Sequence, residues 1–188
     1  MYQAIVIGTS YGGLEALKMI LPELKADFPV PVIIVLHIGE HSNDYFIRHL
    51  NEICALEVKE AEVNEPILPG FIYFAPPDYH LLIEDNHTFS LSVEKKLNFS
   101  RPSIDLLFES AAWTYKNKLI GVILTGANSD GANGLKIIKS LGGKTVVQNP
   151  CHATAPIMPR FALRITRPDF RLNLDEIAAC LIKLAYGE

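Results

Sequence analysis

The sequence predicts a three-layer, doubly wound α/β fold with a mainly parallel sheet and a local antiparallel hairpin insertion. Short apolar runs rich in β-branched residues recur along the chain, as is typical of strands covered on both faces. Segments with the apolar spacing of amphipathic helices alternate with these runs. Because 188 residues can bury a substantial core, we expect residues 1–188 to form a single domain.

Charge, cysteine positions and the first residues argue against a nucleic-acid-binding, disulfide-stabilised or membrane-inserted protein. The net charge is −4 and no basic run of five or more residues is present, which disfavours binding to nucleic acid or to an anionic membrane. The three cysteines lie far apart (Cys54, Cys151 and Cys180), so we expect reduced thiols rather than a disulfide framework. The first residues resemble neither a signal peptide nor a membrane span. These features together predict a cytoplasmic protein without membrane insertion.

The first third of the chain predicts three strands and two helices. The apolar runs at residues 4–7 and 32–36 are typical of buried strands, and residues 56–63 form a weaker one. A helix should begin directly after Gly13, because leucines follow it at helical spacing. A second, short helix should follow Ser42-Asn43-Asp44, which offers side chains suited to an N-cap.

The middle of the chain differs in character. Turn residues bound a strand at residues 71–75. Residues 80–84 and 88–92 flank Asp85-Asn86-His87, which indicates an antiparallel hairpin that is local in sequence. Arg101-Pro102-Ser103 then opens a helix, and its apolar residues fall on one face. They are Ile104, Leu107, Phe108, Ala111, Ala112 and Tyr115.

The last third returns to alternating strands and helices. A buried strand at residues 120–124 precedes a helix that Gly142-Gly143 should terminate. A further strand is expected at residues 144–148, followed by a loop over residues 149–159. An amphipathic helix over residues 173–185 closes the chain.

The turn after the first strand fits the G-x-S-x-G pattern of a nucleophilic serine, with Gly8, Ser10 and Gly12 in the fixed positions. Such a serine lies at a helix N-terminus, where free amides can stabilise an oxyanion. The alternative is a glycine loop that binds a phosphate or a dinucleotide. A Rossmann fingerprint would need a glycine in place of Ser10 and an acidic residue in place of His37.

Three chemically capable residues follow predicted strands: Ser10, His37 and, just past a later strand, Asp130. Functional residues collect at the carboxyl ends of parallel strands, so we expect these three side chains to converge. A serine, a histidine and a carboxylate form the set needed for acyl transfer. Their order along the chain differs from that of α/β-hydrolases, which disfavours an ordinary esterase of that fold.

Alternatives for each role remain open from the residues alone. His41, His80 and His152 compete with His37 for the role of base. Asp130 is also explicable as a turn residue before a glycine. Asp78 and Asp105 compete with it, although Asp105 is adequately explained by the dipole of a helix first turn. No cluster of residues has the spacing of a zinc site, and we expect neither a metal nor a cofactor.

Several motifs, in order and over nearly the whole chain, resemble the catalytic domain of the chemotaxis protein-glutamate methylesterase family. They are Ile7-Gly-Thr-Ser-Tyr-Gly-Gly13, Leu36-His37, Pro69-Gly-x-x-Tyr73-x-Ala75-Pro76-Pro77-x-x-His80-Leu81, Arg101-Pro102-Ser103-x-Asp105, Leu124-Thr-Gly-x-x-x-Asp130-Gly131-Ala132-x-Gly134, Gln148-Asn149-Pro150 and Met158-Pro159.

The resemblance implies a serine hydrolase that cleaves glutamate γ-methyl esters on the cytoplasmic signalling helices of chemoreceptors and deamidates certain receptor glutamines. Carried over by motif, Ser10 is the nucleophile, His37 the base and Asp130 the orienting acid. Backbone amides near Tyr11 and Ala127 would stabilise the oxyanion. The implied partners are methylated receptor helices, with a receptor methyltransferase or a separate regulator chain as further candidates.

The chain departs from the family pattern in three ways. Family members often carry an N-terminal receiver domain, whereas here the first strand begins soon after Met1, so we expect no receiver domain in residues 1–188. Tyr11 replaces a small residue beside the serine, and it should face the mouth of the cleft. Ala127, Asn128 and Ser129 replace the usual methionine-containing loop. A non-catalytic receptor-docking module is the remaining alternative to an enzyme, and the intact triad disfavours it.

Overall fold

A parallel sheet with helices on both faces forms the body of the protein. The structure, a computed structural model, describes residues 1–37, 43–98 and 100–187. The strands are β1 (Ala4–Thr9), β2 (Val32–Leu36), β3 (Glu57–Glu60), β4 (Phe71–Phe74), β5 (His80–Ile83), β6 (Phe89–Ser92), β7 (Leu119–Ile123), β8 (Lys144–Gln148) and β9 (Phe170–Leu172). The α-helices are α1 (Gly13–Ile20), α2 (Asn43–Ile53), α3 (Ile104–Tyr115), α4 (Ala132–Ser140), α5 (Ile157–Thr166) and α6 (Leu174–Tyr186).

Seven strands pair in the order β3-β4-β2-β1-β7-β8-β9, and all of these pairs are parallel. The chain builds outward from β1, first to one side through β2 and then to the other through β7. This reversal beside β1 creates the crevice at the carboxyl ends of the strands where doubly wound proteins bind ligands. The predicted fold class is therefore confirmed.

Successive residues of β1 point to opposite faces of the sheet, and each face has its own apolar core. Ile5 and Ile7 pack with α1, α2 and α6, whereas Ala4 and Val6 pack with α3, α4 and α5. All six residues of β1 are buried, which explains why residues 4–7 are continuously apolar rather than alternating.

β5 and β6 form the predicted antiparallel hairpin, with His80 opposite Ser92. The hairpin packs on α3, where the Ser110 hydroxyl accepts a hydrogen bond from the backbone of Ile83 at 3.1 Å. β4, which also lies in the middle of the chain, instead joins the parallel sheet between β3 and β2.

The prediction for residues 149–159 was wrong in part. A short 3₁₀ turn occupies Pro150–His152, and α5 already begins at Ile157. Pro159 lies in the first turn of α5, where a missing backbone N–H breaks no intrahelical hydrogen bond. Neither α5 nor β9 was predicted.

The other helices match their predictions. α3 carries all six predicted apolar residues on its buried side. α6 begins with a capping box formed by Asn173 and Glu176. The predicted cap of α2 includes Ser42, which lies outside the described residues. Within the described ranges, no helix has the length and apolar character that crossing a membrane requires.

Candidate active site

Ser10 directly follows β1 in a tight turn that leads into α1. Its backbone N–H donates to the carbonyl of Thr125 at 3.0 Å, and its carbonyl accepts from Gly13 at 2.8 Å. Gly12 has φ +81°, and a Cβ there would lie 2.6 Å from Cβ of Thr154. Only glycine fits this position without strain, so the sequence dictates the turn that presents Ser10.

His37 directly follows β2, the neighbour of β1. Thr9 pairs with Leu36 in the sheet, and the His37 N–H donates to the Thr9 carbonyl at 3.1 Å. Ser10 and His37 therefore occupy equivalent positions at the carboxyl ends of adjacent parallel strands. The His37 side chain is 12% exposed, so most of the ring is buried.

The Asp130 carboxylate is completely buried beside His37, with Oδ2 3.1 Å from Nε2 of the imidazole. It also accepts from the backbone N–H of Ile104 at 2.7 Å and of Asp105 at 3.2 Å, in the first turn of α3. The Ser103 hydroxyl and the Asn98 amide donate to Oδ1 at 3.0 and 3.1 Å. A dense set of donors thus holds this carboxylate at the positive end of a helix.

Burial favours the neutral form of Asp130, but its partners oppose that effect more strongly. The His37 side chain, the Ile104 amide and the Asn98 side chain together hold the pKa of Asp130 below its ordinary value. The carboxylate is therefore ionised at neutral pH. An ionised carboxylate at this position can stabilise a positively charged imidazole.

Asn128 indicates which imidazole nitrogen is basic. Its Oδ1 accepts the backbone N–H of Asp130 at 3.1 Å, so its NH₂ group faces Nδ1 of His37 at 3.4 Å. This contact suits the tautomer in which Nδ1 presents a lone pair and Nε2 carries the proton. The Nε2–Oδ2 contact lies within ion-pair distance, but the N–H does not align with the oxygen as in a strong hydrogen bond.

Asp105, the competing carboxylate, has no contact with His37 among the described residues and instead joins α3 to α4. It accepts from the backbone of Gly134 at 2.7 Å and from the amide of Asn98 at 3.1 Å. Burial, followed by the negative charge of Asp130, raises its pKa despite these donors. Of these two carboxylates, Asp130 is therefore the one that contacts the His37 imidazole.

The competing histidines have other environments. His80 is fully buried, with Nδ1 accepting from the Ser103 amide at 3.1 Å and Nε2 3.2 Å from the Lys95 carbonyl. This ring therefore connects the hairpin to the start of α3. His152 is exposed in its 3₁₀ turn, and His41 lies outside the described residues. The remaining carboxylate candidate, Asp78, lies in the turn before β5 with φ +62°.

The two residues predicted to provide oxyanion donors flank this site. The Tyr11 side chain is 67% exposed, and its carbonyl accepts from the Thr125 hydroxyl at 2.9 Å. Neither the Tyr11 nor the Ala127 backbone N–H has an acceptor among the described residues. Both amides are thus available to a ligand. The Ser10 hydroxyl likewise has no hydrogen-bond partner within that part of the chain.

Sequence reasoning missed the polar residues that surround the three candidates. Ser103 belongs to the R-P-S-x-D motif, which could have indicated its role. Asn98 lies in irregular chain and carries no motif. Thr125 joins Ser10 to the segment before α5, because its carbonyl accepts from the Ser10 amide and its hydroxyl accepts from the Ala155 amide at 2.8 Å.

In the described parts of the chain, no three His, Cys, Asp or Glu side chains are placed to hold a metal ion.

The fold and these side chains define a class: a doubly wound α/β protein with the residue types for acyl transfer at its strand ends. The model of the CheB methylesterase family matches residues 5–181. The chain therefore belongs to the CheB methylesterase family, and the resemblance drawn from its motifs is confirmed.

Known proteins similar to this chain agree with that assignment. A relative from Leptospira interrogans is 54% identical over 97% of this chain and 95% of its own length. The protein-glutamate methylesterase/protein-glutamine glutaminase of Clostridium acetobutylicum is 35% identical over 98% of this chain. The chain spans about half of that relative, 54% of its length.

A solved structure matches the fold closely. The crystal structure of the Thermotoga maritima CheB methylesterase catalytic domain superimposes with a TM-score of 0.94 at 35% identity. The match covers 98% of this chain and 99% of that domain. The two folds are therefore the same over nearly their whole lengths.

Proposed function

We propose that the chain hydrolyses glutamate γ-methyl esters on the cytoplasmic helices of chemoreceptors and deamidates receptor glutamines, through Ser10, His37 and Asp130. Membership of the CheB methylesterase family makes it an enzyme of the protein-glutamate methylesterase class. The observation that supports the triad is the convergence of its members. Ser10 and His37 follow adjacent parallel strands, and Asp130 Oδ2 lies 3.1 Å from the imidazole.

In the first half of the reaction, Ser10 Oγ attacks the ester carbonyl while His37 Nδ1 takes the hydroxyl proton. The buried carboxylate of Asp130 stabilises the imidazolium that forms. The N–H groups of Tyr11 and Ala127 donate to the oxyanion of the tetrahedral intermediate. The intermediate collapses when the C–O bond to the methoxy group breaks, and His37 returns its proton to release methanol.

In the second half, a water molecule attacks the acyl-enzyme and gives its proton to His37. The bond to Ser10 Oγ then breaks, the serine recovers its proton, and the glutamate carboxylate is released. A glutamine substrate follows the same steps with ammonia as the first leaving group. No cofactor is needed for either reaction.

During this cycle the Asn128 side chain must leave His37 Nδ1 so that the Ser10 hydroxyl can bind there. Its NH₂ group lies 3.4 Å from His37 Nδ1, which is long for a hydrogen bond. Exchanging this weak contact for a hydrogen bond from the serine therefore costs little. We infer that Asn128 holds the imidazole in the correct tautomer until the substrate is bound.

Labelling with a fluorophosphonate probe tests the proposal. The wild-type protein should react at one serine and release methanol from a methylated receptor fragment. Ser10→Ala should do neither while keeping its circular dichroism spectrum. Ser140→Ala is the matched control, because Ser140 is an exposed serine at the end of α4. Methanol release by folded Ser10→Ala at the wild-type rate would disprove the triad.

A further inference from the structure

One side of α5 forms a shallow depression of about 310 Å³, lined by Ile157, Arg160, Phe161 and Arg164, which we call the α5 face. The Arg164 guanidinium lies over the Phe161 ring at 4.2 Å, within cation–π distance. This contact orients the guanidinium. Ile157 is 44% exposed, so the face combines apolar and cationic surface.

The charge of this segment is opposite to that of the whole chain. The net charge of the protein is −4, but residues 157–167 contain three arginines and no acidic residue. Neither Arg160 nor Arg164 forms an ion pair within the described residues. The guanidinium groups are thus free to bind carboxylates from another molecule.

The α5 face begins beside the candidate active site. The Met158 N–H donates to the Gly126 carbonyl at 2.9 Å, and the Gly126 N–H donates to Ala155 at 3.0 Å. Gly126 follows Thr125, whose carbonyl binds the amide of Ser10. Helical rise then places Arg164 about 10 Å beyond Ile157 along the axis. The face therefore begins next to the site and extends along α5 for roughly two helical turns.

We propose that the α5 face binds carboxylates of the substrate itself, on an acidic helical segment that carries the scissile glutamyl ester. Arg160 and Arg164 pair with acidic side chains one and two turns from the ester, and Ile157 and Phe161 contact the apolar side of that segment. Guanidinium groups suit this role because they bind carboxylates in a bidentate manner. This inference rests on the proposed function and makes α5 a determinant of substrate choice.

Kinetics on two substrates test the inference. Arg160→Glu/Arg164→Glu should raise KM for a methylated, glutamate-rich receptor fragment about tenfold, since both ion pairs become repulsive. Hydrolysis of p-nitrophenyl acetate should remain unchanged, because this small ester does not reach α5. The charge-matched control is Lys25→Glu/Lys118→Glu, which alters two exposed lysines near the amino-terminal edge of the sheet. It should leave both KM values within about twofold of the wild type.

Replacing the flanking glutamates of the fragment by glutamine should raise the wild-type KM by a similar factor and barely affect the double variant. An unchanged KM for the fragment in the arginine variant would overturn the inference, as would an equal loss on both esters. An equal increase in KM with the lysine control would mean that only net charge matters.

A binding measurement separates this inference from the proposed function. Fluorescence anisotropy of a glutamate-rich helical peptide carrying one methyl ester is measured on Ser10→Ala, with and without the two arginine substitutions. Arginine-dependent binding supports the α5 face even if the wild-type protein released no methanol from the fragment. An affinity for the peptide that is the same with and without the two arginine substitutions would overturn the inference, even if the triad were correct.

Discussion

Asp130 receives hydrogen bonds from Asn98, Ser103 and the first amides of α3, so its charge and position are fixed before any substrate binds. The backbone N–H of Asp105 belongs to the same network, yet the Asp105 carboxylate accepts from the amide of Gly134. The two acids therefore differ in function because of their partners rather than their distance along the chain.

Asp130→Asn should lower kcat by about 10⁴-fold, because an amide cannot stabilise the imidazolium and favours the wrong tautomer of His37. Asp105→Asn should change kcat far less and should mainly lower stability. Steady-state kinetics on the receptor fragment, with folding checked by circular dichroism, compare the two. A larger loss of kcat in Asp105→Asn would show that the wrong carboxylate has been assigned.

Tyr11 is the most visible departure from the family pattern at the residue scale. Its ring is largely exposed beside Ser10, where it can contact a protein substrate. Tyr11→Thr should raise KM for the receptor fragment more than for p-nitrophenyl acetate, since a small ester gains little from a distal ring. Equal effects on both esters would indicate that Tyr11 shapes the oxyanion turn instead.

The sequence predicted the three candidate catalytic residues because each follows, or lies just past, a continuous apolar strand. It could not predict Asn98, whose role depends on a left-handed backbone conformation at φ +49° in irregular chain. Nor could it separate His80 from His37, because only the folded hairpin shows that both nitrogens of His80 face backbone groups.

At the scale of elements, prediction failed mainly between residues 149 and 172. The prolines of this region suggested a loop, but Pro159 lies in the first turn of α5, where proline is tolerated. β9 has only three residues and pairs with one neighbour, so it lacks the long apolar run that identified β1 and β2. Its position depends on Asp169, which precedes it.

Asp169 joins three elements. It binds the ammonium groups of Lys139 on α4 and Lys144 on β8 at 2.6 and 3.3 Å, and it accepts from the amide and hydroxyl of Thr145. Burial alone would raise the pKa of this carboxyl, but Lys139 and Thr145 outweigh that effect and lower it from 3.8 to about 2.

Asp169→Asn should lower the free energy of unfolding at pH 7 by about 1–2 kcal/mol. Because the folded-state pKa is depressed, this stabilisation is present above pH 3.8 and is lost as the pH falls toward about 2. Urea unfolding at pH 7 and pH 3 should therefore show a smaller difference between variant and wild type at pH 3. Asp85→Asn, in the exposed hairpin turn, is the control. A difference that persisted unchanged at pH 3 would contradict the ionic explanation.

At the scale of the whole molecule, the sheet separates two apolar cores that share the same strands. Leu181 of α6 belongs to one core, and α3, which carries the only tryptophan, Trp113, belongs to the other. The fully buried strand β1 contributes side chains to both cores. A substitution that destabilises one core should therefore also destabilise the other. We therefore expect the described domain to unfold as one cooperative unit.

Leu181→Ala tests this expectation because its cavity lies on the face of the sheet opposite Trp113. It should lower the free energy of unfolding by about 2–5 kcal/mol. Far-ultraviolet circular dichroism, which reports all helices, and Trp113 fluorescence should move to the same lower midpoint of urea denaturation. Lys183→Ala, two residues further along α6 and on its exposed side, should change the midpoint little. If the circular dichroism transition shifted while that of Trp113 stayed at the wild-type midpoint, the two faces would be separate folding units, and β1 would not couple them.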